Sequence, residues 1–472
     1  METILTEMIE LIKNSTDGIT AERRLVAYFS EWISEITGEA LECMDDALAE
    51  EYKKTGYKIE KRDTRTIQFL FGKVNFKRRR MKKAEEKALY PLDKEMGFLK
   101  GEAFSPLLLR NIAEVASGTV LRKTEQAVSL LTPFSISHTK VKSVLDKVGS
   151  LQKNYTENRL LDINQVEKPK HKKKVPFLFI EGDGLMYKAT KKKRGEIHRI
   201  QIAEGVEKNG KRTRLIGAHY FSSTESAADA WTLVQNYLFL HYDLSNTVVI
   251  SNSDGGSGYE FSQFNEIVTG CLCHEHVRDA YHVNQKIKQR LNFVPELQAE
   301  LKKAIRHHDW SEIELVLTTA ESTILIDEEE VETHQKEQIR LLKGYLNRNW
   351  DYLMPLYKRG LGENLRGIGT CESNHRPYSY RVKGHGKYWS KDGVRNVVYV
   401  IEGLKNETLE HAILEEMPEY NKQQSVQYKE ALKAAHKQVA HQSHEGVRHG
   451  SIFHISSSSS SIGRLNKVLS TV

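Results

Sequence analysis

Only four cysteines, Cys43, Cys271, Cys273 and Cys371, occur in 472 residues. That is too few for a disulfide scaffold and fits a reducing, cytoplasmic setting. Long apolar runs are also missing. The longest, Val175–Ile180 and Val397–Ile401, fall far short of the ~18–20 residues that span a bilayer. The opening METILTEMIELIKN is acidic and helical in pattern, unlike the basic, apolar and small-residue order of a signal peptide. Aromatics are 8% and prolines number nine, yet a hydrophobic share of 39% still supports packed cores. Membrane, secreted, fibrous and wholly disordered classes are excluded, and the length suggests about three structural units.

Charge is present in quantity and unevenly placed. The chain carries 70 Lys+Arg against 63 Asp+Glu, a net of +7. Residues 1–50 hold 3 basic and 12 acidic side chains, whereas residues 51–200 hold 35 and 17. Basic clusters fall at Lys77, Arg78, Arg79 and Arg80, at Lys172–Lys174, and at Lys191–Arg194. Three such clusters in one half of the chain point to a polyanion, and nucleic acid is the expected partner.

Periodicity divides the chain further. Residues 1–57 read as an N-terminal helical region, with Ile4, Met8, Leu11, Leu25, Phe29 and Ile33 at helical spacing. Residues 58–165 read as a DNA-binding region. A β-hairpin turns at Gly72-Lys73, and two helices, Thr119–Leu131 and Ser137–Val148, have the lengths of a helix-turn-helix carrying Lys140 and Lys142. A mixed α/β domain opens at 172 with the buried strand Val175–Gly184, followed by strands His198–Val206 and Arg212–Phe221 around Asn209-Gly210. A helix then leads to the strand Thr247–Ser251. This first part runs to 285, a helical insertion occupies 286–365, a second part of the same domain spans 366–425, and a polar tail covers 426–472.

The sharpest chemical features are Asp183 and Asp254, each near the end of an apolar strand and each followed by glycine. Carboxylates there suit Mg²⁺ or Mn²⁺, which take oxygen ligands, keep waters and accept phosphate oxygens. Two such ions would serve phosphodiester chemistry. Glu181 shares a strand face with Asp183 and is expected to line the site without being a ligand. The best third carboxylate is Glu372, with Glu363 a rival. Downstream of it Arg376, Arg381, Lys383 and Trp389 interleave cations with aromatics, as DNA contacts would. The segment Cys271-x-Cys273-His274-x-His276 is spaced too tightly for the usual zinc finger, and a strand edge with Cys273 and His276 facing the site is expected instead.

The order Asp183, Asp254, Cys273-x-x-His276, helical insertion, Glu372 resembles the DDE transposases of the Mutator-like superfamily. The tract Cys371-Glu-Ser-Asn-His-Arg-Pro-Tyr-Ser-Tyr-Arg-Val-Lys-Gly-His-Gly-Lys-Tyr-Trp-Ser is similar to insertion-sequence transposases of the ISLre-two family. So are Arg278-Asp-Ala-Tyr-His-Val, which contains His282, and Phe71-Gly-Lys-Val-Asn-Phe-Lys-Arg-Arg. This resemblance implies an RNase H-like mixed sheet interrupted by an all-helical insertion. It implies a metal-binding catalytic triad of Asp183, Asp254 and Glu372, separated by 71 and 118 residues, with two Mg²⁺ or Mn²⁺ ions. Glu181, Cys273, His276 and His282 would be accessory residues near the site. It further implies strand cutting and joining on double-stranded DNA, at terminal inverted repeats and in target DNA, by a homo-oligomer. A nuclease or resolvase that joins no strands, and a non-enzymatic DNA-binding regulator, remain open alternatives.

Overall fold

The computed structural model describes residues 2–161, 171–191, 193–209, 212–324, 329–361, 369–384 and 386–418; the expected polar tail at 426–472 and the rival acid Glu363 lie outside the described residues. The chain divides into one unit of Met1–Thr156 with Tyr380–Tyr420 and a second built on Glu157–Ser379.

The first unit starts with α1 (Glu2–Lys13) and the 37-residue α2 (Gly18–Lys54). Asp17 caps α2, its carboxylate accepting from the Thr20 amide at 2.8 Å. The expected hairpin follows, β1 (Lys58–Gln68) antiparallel to β2 (Lys73–Lys82). Period-two alternation buries Val74 and Phe76 and leaves Lys73, Asn75 and Lys77 in solvent. The inward side chains, with Ile67, pack on Leu41 of α2 and on Leu92 and Phe98 around the short α3 (Pro91–Glu95). Ser105 caps α4 (Pro106–Gly118), with proline in its first turn, as the sequence pattern requires. Next come α5 (Leu121–Leu131) and α6 (His138–Leu161). The expected short second helix runs on past Val148, because Val141, Val144, Leu145, Val148 and Leu151 keep one continuous face buried.

The second unit is a mixed α/β structure around a five-stranded sheet of order β7-β4-β3-β8-β9. β3 (Phe177–Lys188) is central. It pairs antiparallel with β4 (Arg194–Ala203) and parallel with β8 (Val248–Ser253). Consecutive Leu178, Phe179 and Ile180 are all buried, as a strand covered on both faces demands. The two long strands expected at 198–206 and 212–221 each break. Gly205 begins β5 (Gly205–Asn209), and Gly217, at φ +58°, separates β6 (Arg212–Ile216) from β7 (His219–Ser223). β5 and β6 thereby peel away as a separate two-stranded ribbon. α7 (Ala227–His241) leads into β8, and α8 (Phe261–Ile267) into the edge strand β9 (Cys273–Arg278).

The helical insertion comprises α9 (Ala280–Arg290), α10 (Leu297–His307), α11 (Trp310–Ser322), α12 (Glu329–Arg348), α13 (Trp350–Leu353) and a 3-10 turn, Leu356–Arg359. It has its own apolar core, including Ile287, Leu291, Leu301, Ile313, Leu342 and Leu346. Arg359 ties it to the sheet. Its guanidinium donates to Glu275 Oε2 and to the His276 carbonyl, both at 2.9 Å, with both charged side chains fully buried.

After α14 (Cys371–Val382) the chain enters the first unit with α15 (Lys391–Lys405) and α16 (Leu409–Leu414). This departs from the single 366–425 segment expected to complete the catalytic domain. Val394, Val397, Val398 and Ile401 are buried in α15, which packs on α4, and Asn396 donates to Asp146 of α6 at 3.2 Å. The apolar run of α15 therefore serves a helical core rather than the sheet.

Removing one partner of a buried ion pair strands the other. Glu275→Ala should destabilise the second unit by about 3–5 kcal/mol. The double replacement Glu275→Met with Arg359→Met should cost much less. Denaturant midpoints check this, and a single variant as stable as the parent would contradict it.

Candidate functional site

β3 and β8 run side by side until the pair Gly182↔Ser253. Asp183 is the next residue on β3 and Asp254 the next after β8, so two residues 71 apart in sequence are brought to the same edge. Asp183 is not at the end of its own strand, as the sequence suggested. β3 continues to Lys188 with β4 alone as partner, and it is β8 that ends there. The Asp279 amide donates to the Ser253 carbonyl at 3.0 Å, and the Asp279 carboxylate accepts from the Tyr281 amide at 2.7 Å. This cap starts α9 at the same edge and puts His282 in its first turn, Nε2 lying 3.9 Å from Asp183 Oδ2. Ligand atoms of Asp183, Asp254 and His282 all lie within 4.8 Å of one another.

The turn after β8 is built for close approach. Asp254 Oδ1 accepts from the Gly256 amide at 2.7 Å, and Gly255 adopts φ +77°. A Cβ at Gly255 would collide with the guanidinium of Arg278. Arg278 lies 5.2 Å from the centre of the Tyr352 ring. Burial lowers its pKa, while Asp254 works in the opposite direction.

The first turn of α14 completes the surroundings. Cys371 and His375 are buried and, with Asp183, form a second group whose ligand atoms lie within 4.8 Å. Glu372 belongs to this turn; its side chain lies outside the described residues. Glu181 does not line an open site. It is fully buried and receives hydrogen bonds from Gln201 of β4, Asn252 of β8 (3.0 Å), and both the amide (3.1 Å) and hydroxyl (2.8 Å) of Thr370. Thr370 immediately precedes α14, so this carboxylate joins three strands to that helix. Arg199, the register partner of Asp183, is also buried, with its guanidinium 4.0 Å from the Tyr378 ring centre.

The sequence reading missed His375, Cys371, Thr370 and Arg199. The i, i+4 spacing of Cys371 and His375 was the available signal, since it puts both on one helix face. The expectation that Cys273 and His276 face the site together fails on the pleat, because residues three apart on a strand point to opposite faces. Cys273 Sγ lies 3.6 Å from Glu275, while His276 is buried on Ser251 Oγ (2.7 Å) and edge-on to Tyr352. Burial holds the pKa of His276 well below its ordinary value.

Most of the expected DNA-binding cations have protein partners. Arg78 pairs with Asp93 and lies over the Tyr90 ring; Arg79 pairs with Asp45 and Asp46 of α2. Arg80 lies 3.3 Å from Glu60, Lys140 lies 3.3 Å from Glu102, and Lys142 pairs with Asp146. Arg381 is buried, donating to the Ala116 carbonyl at 2.9 Å and resting 4.6 Å from the Trp389 ring centre. The Trp389 indole donates to the Val382 carbonyl at 3.1 Å. These two are packing residues rather than an open DNA surface. Lys77, Arg376 and Lys383 are exposed. No helix among the described residues is long and apolar enough to cross a membrane.

A family model described as "Uncharacterised protein family (UPF0236)" matches residues 14–417. The "UPF0236 protein in vanSb 3'region" of Streptococcus gallolyticus is 34% identical over 405 residues, 86% of each chain.

Burial raises the pKa of Glu181 above its ordinary 4.5, against the pull of its hydrogen bonds. The fold then holds this proton more tightly than the unfolded chain does. The contribution is complete below the ordinary glutamate value and is lost as pH rises through the elevated one. Glu181→Gln has no such proton to lose. Denaturation midpoints followed against pH should show the parent losing stability relative to Glu181→Gln as pH rises, and parallel profiles would contradict this.

Proposed function

The chain belongs to the uncharacterised protein family UPF0236, and we propose that it is a DDE transposase acting on the ends of a bacterial insertion sequence. The observation that carries the reading is the meeting of Asp183, Asp254 and His282 at one edge of the sheet. The architecture supports an RNase H-like assignment. A three-strand antiparallel meander (β3, β4, β7) is extended by two parallel strands, and a helical insertion separates β9 from the helix bearing Glu372. In this reading the working partner is double-stranded DNA, at the terminal inverted repeats and in the target, and the enzyme acts as a homo-oligomer.

The donor set fits Mg²⁺ or Mn²⁺. Two carboxylates and an imidazole converge, and Glu372 follows Cys371 in the first turn of α14. When bound, such ions supply electrophilic stabilisation of the scissile phosphate and acidify the attacking hydroxyl. Asp183 and Asp254 would hold the cations, Glu372 would complete the set, and His282 would orient Asp183. Arg278 offers positive charge beside Asp254 for a DNA phosphate. Glu181 and Thr370 keep α14 in place without touching substrate.

Each step is a direct displacement at phosphorus. Water forms a P–O bond at the element's end while the bond to the 3′-oxygen breaks, freeing a 3′-hydroxyl. That hydroxyl then attacks a phosphodiester of target DNA, with its proton passing to solvent and the target's own 3′-oxygen leaving. No covalent enzyme intermediate is required.

With duplex DNA carrying the element's ends, Asp183→Asn and Asp254→Asn should each lower Mg²⁺-dependent cleavage by roughly 10²–10³-fold or more. Thr370→Val should cost roughly 10–100-fold, as the loss of a supporting hydrogen-bond partner does. Gel analysis of cleaved and joined strands provides the check. Unchanged cleavage in Asp183→Asn would overturn the assignment, and cleavage without joined product in the parent would convert it to a nuclease.

A further inference from the structure

Asp183 belongs to two groups of side chains at once. On one side are Asp254 and His282, an oxygen-rich set. On the other are Cys371 and His375, one helical turn apart on the buried face of α14. Here His375 Nε2 lies 3.6 Å from Asp183 Oδ2 and 3.5 Å from Cys371 Sγ.

Those separations carry chemical information. A tetrahedral zinc site has bonds of about 2.0–2.3 Å to nitrogen, oxygen and sulfur, which puts neighbouring ligand atoms about 3.3–3.8 Å apart. Both distances fall inside that interval. The donor types differ from those of the first group. Thiolate and imidazole favour Zn²⁺ over Mg²⁺, whereas carboxylates alone do not. Both side chains come from a regular helix, and Thr370, just before its first residue, is anchored to buried Glu181, so their spacing is set by the backbone.

We propose that Asp183, Cys371 and His375 form a three-ligand Zn²⁺ site that shares Asp183 with the proposed catalytic centre. Zinc taken up there ties Asp183 to α14 and withdraws it from Asp254 and His282. Zn²⁺ is then a competitive inhibitor of the Mg²⁺-dependent reaction. The competition rests on the functional reading above, while the zinc site itself does not.

Co²⁺ is the spectroscopic stand-in for Zn²⁺. Titrated into the reduced full-length protein, one equivalent should produce the visible bands of tetrahedral cobalt and a near-ultraviolet thiolate-to-cobalt band. Zn²⁺ should abolish both. Cys371→Ser, checked for an unchanged circular dichroism spectrum, should lose the thiolate band, and His375→Ala should weaken binding at least about tenfold, the low end of what losing even a residue that supports a ligand costs. Cys273→Ser should bind as the parent does. Asp254→Asn should retain the cobalt spectrum while losing Mg²⁺-dependent cleavage, which separates failure of this site from failure of the catalytic assignment. No thiolate band in the parent, or a band that survives Cys371→Ser, would overturn the site. Cleavage unaffected by a full equivalent of bound Zn²⁺ would overturn the competition.

Discussion

The carboxylate of Glu181 accepts from a glutamine on β4, an asparagine on β8 and two donors of Thr370, and through these it fixes the helix that bears Cys371, Glu372 and His375. A buried carboxylate is costly unless its oxygens are well supplied with donors. Here the donors come from segments that are 20, 71 and 189 residues away in sequence. The acidic edge of the sheet depends on this junction more than on any contact between the acids themselves. Asp183 and Asp254 repel each other, and something other than mutual attraction must hold their neighbourhood in shape. Hydrogen bonding from Gly184 to Asp183 and from Gly256 to Asp254, with the Asp279 cap beside them, does so.

A comparable division of labour governs the first unit. The acidic excess of residues 1–50 and the basic excess that follows look, along the chain, like separate electrostatic regions. In the fold they meet. Asp45 and Asp46 of α2 neutralise Arg79, Glu42 accepts from the Lys77 amide, and Arg62 lies 3.5 Å from Glu42. Much of the hairpin's charge is therefore neutralised internally, while the outward members of the strand alternation, such as Lys73 and Lys77, stay exposed. A run of arginines overstates a DNA surface when an acidic helix packs along it.

The hairpin, the central strand, the helical insertion and the proximity of Asp183 to Asp254 were all legible in the sequence. The first three follow from local periodicity, and the last from pairing of the two apolar strands, which sets Asp183, midway along β3, beside the end of β8. Three things were not. The role of Glu181 depends on what covers it, which strand alternation does not reveal. The allegiance of α15 depends on packing against α4, and an apolar helical face does not name its partner. His375 and Cys371 required the first turn of α14 to be set down on β3, which only the Thr370 junction explains. By contrast, the pairing of Cys273 with His276 could have been rejected from the sequence, since their spacing and a strand are incompatible with one shared face.

Asp183 and Asp254 are proposed to hold a divalent cation together at the sheet edge. The most direct test is Mn²⁺ binding to the full-length protein in the presence of duplex DNA, followed by electron paramagnetic resonance. The parent should take up Mn²⁺ with loss of the free-ion signal, Mg²⁺ should release it, and Asp183→Asn and Asp254→Asn should each weaken that uptake. Equal uptake by the parent and both variants would contradict the account.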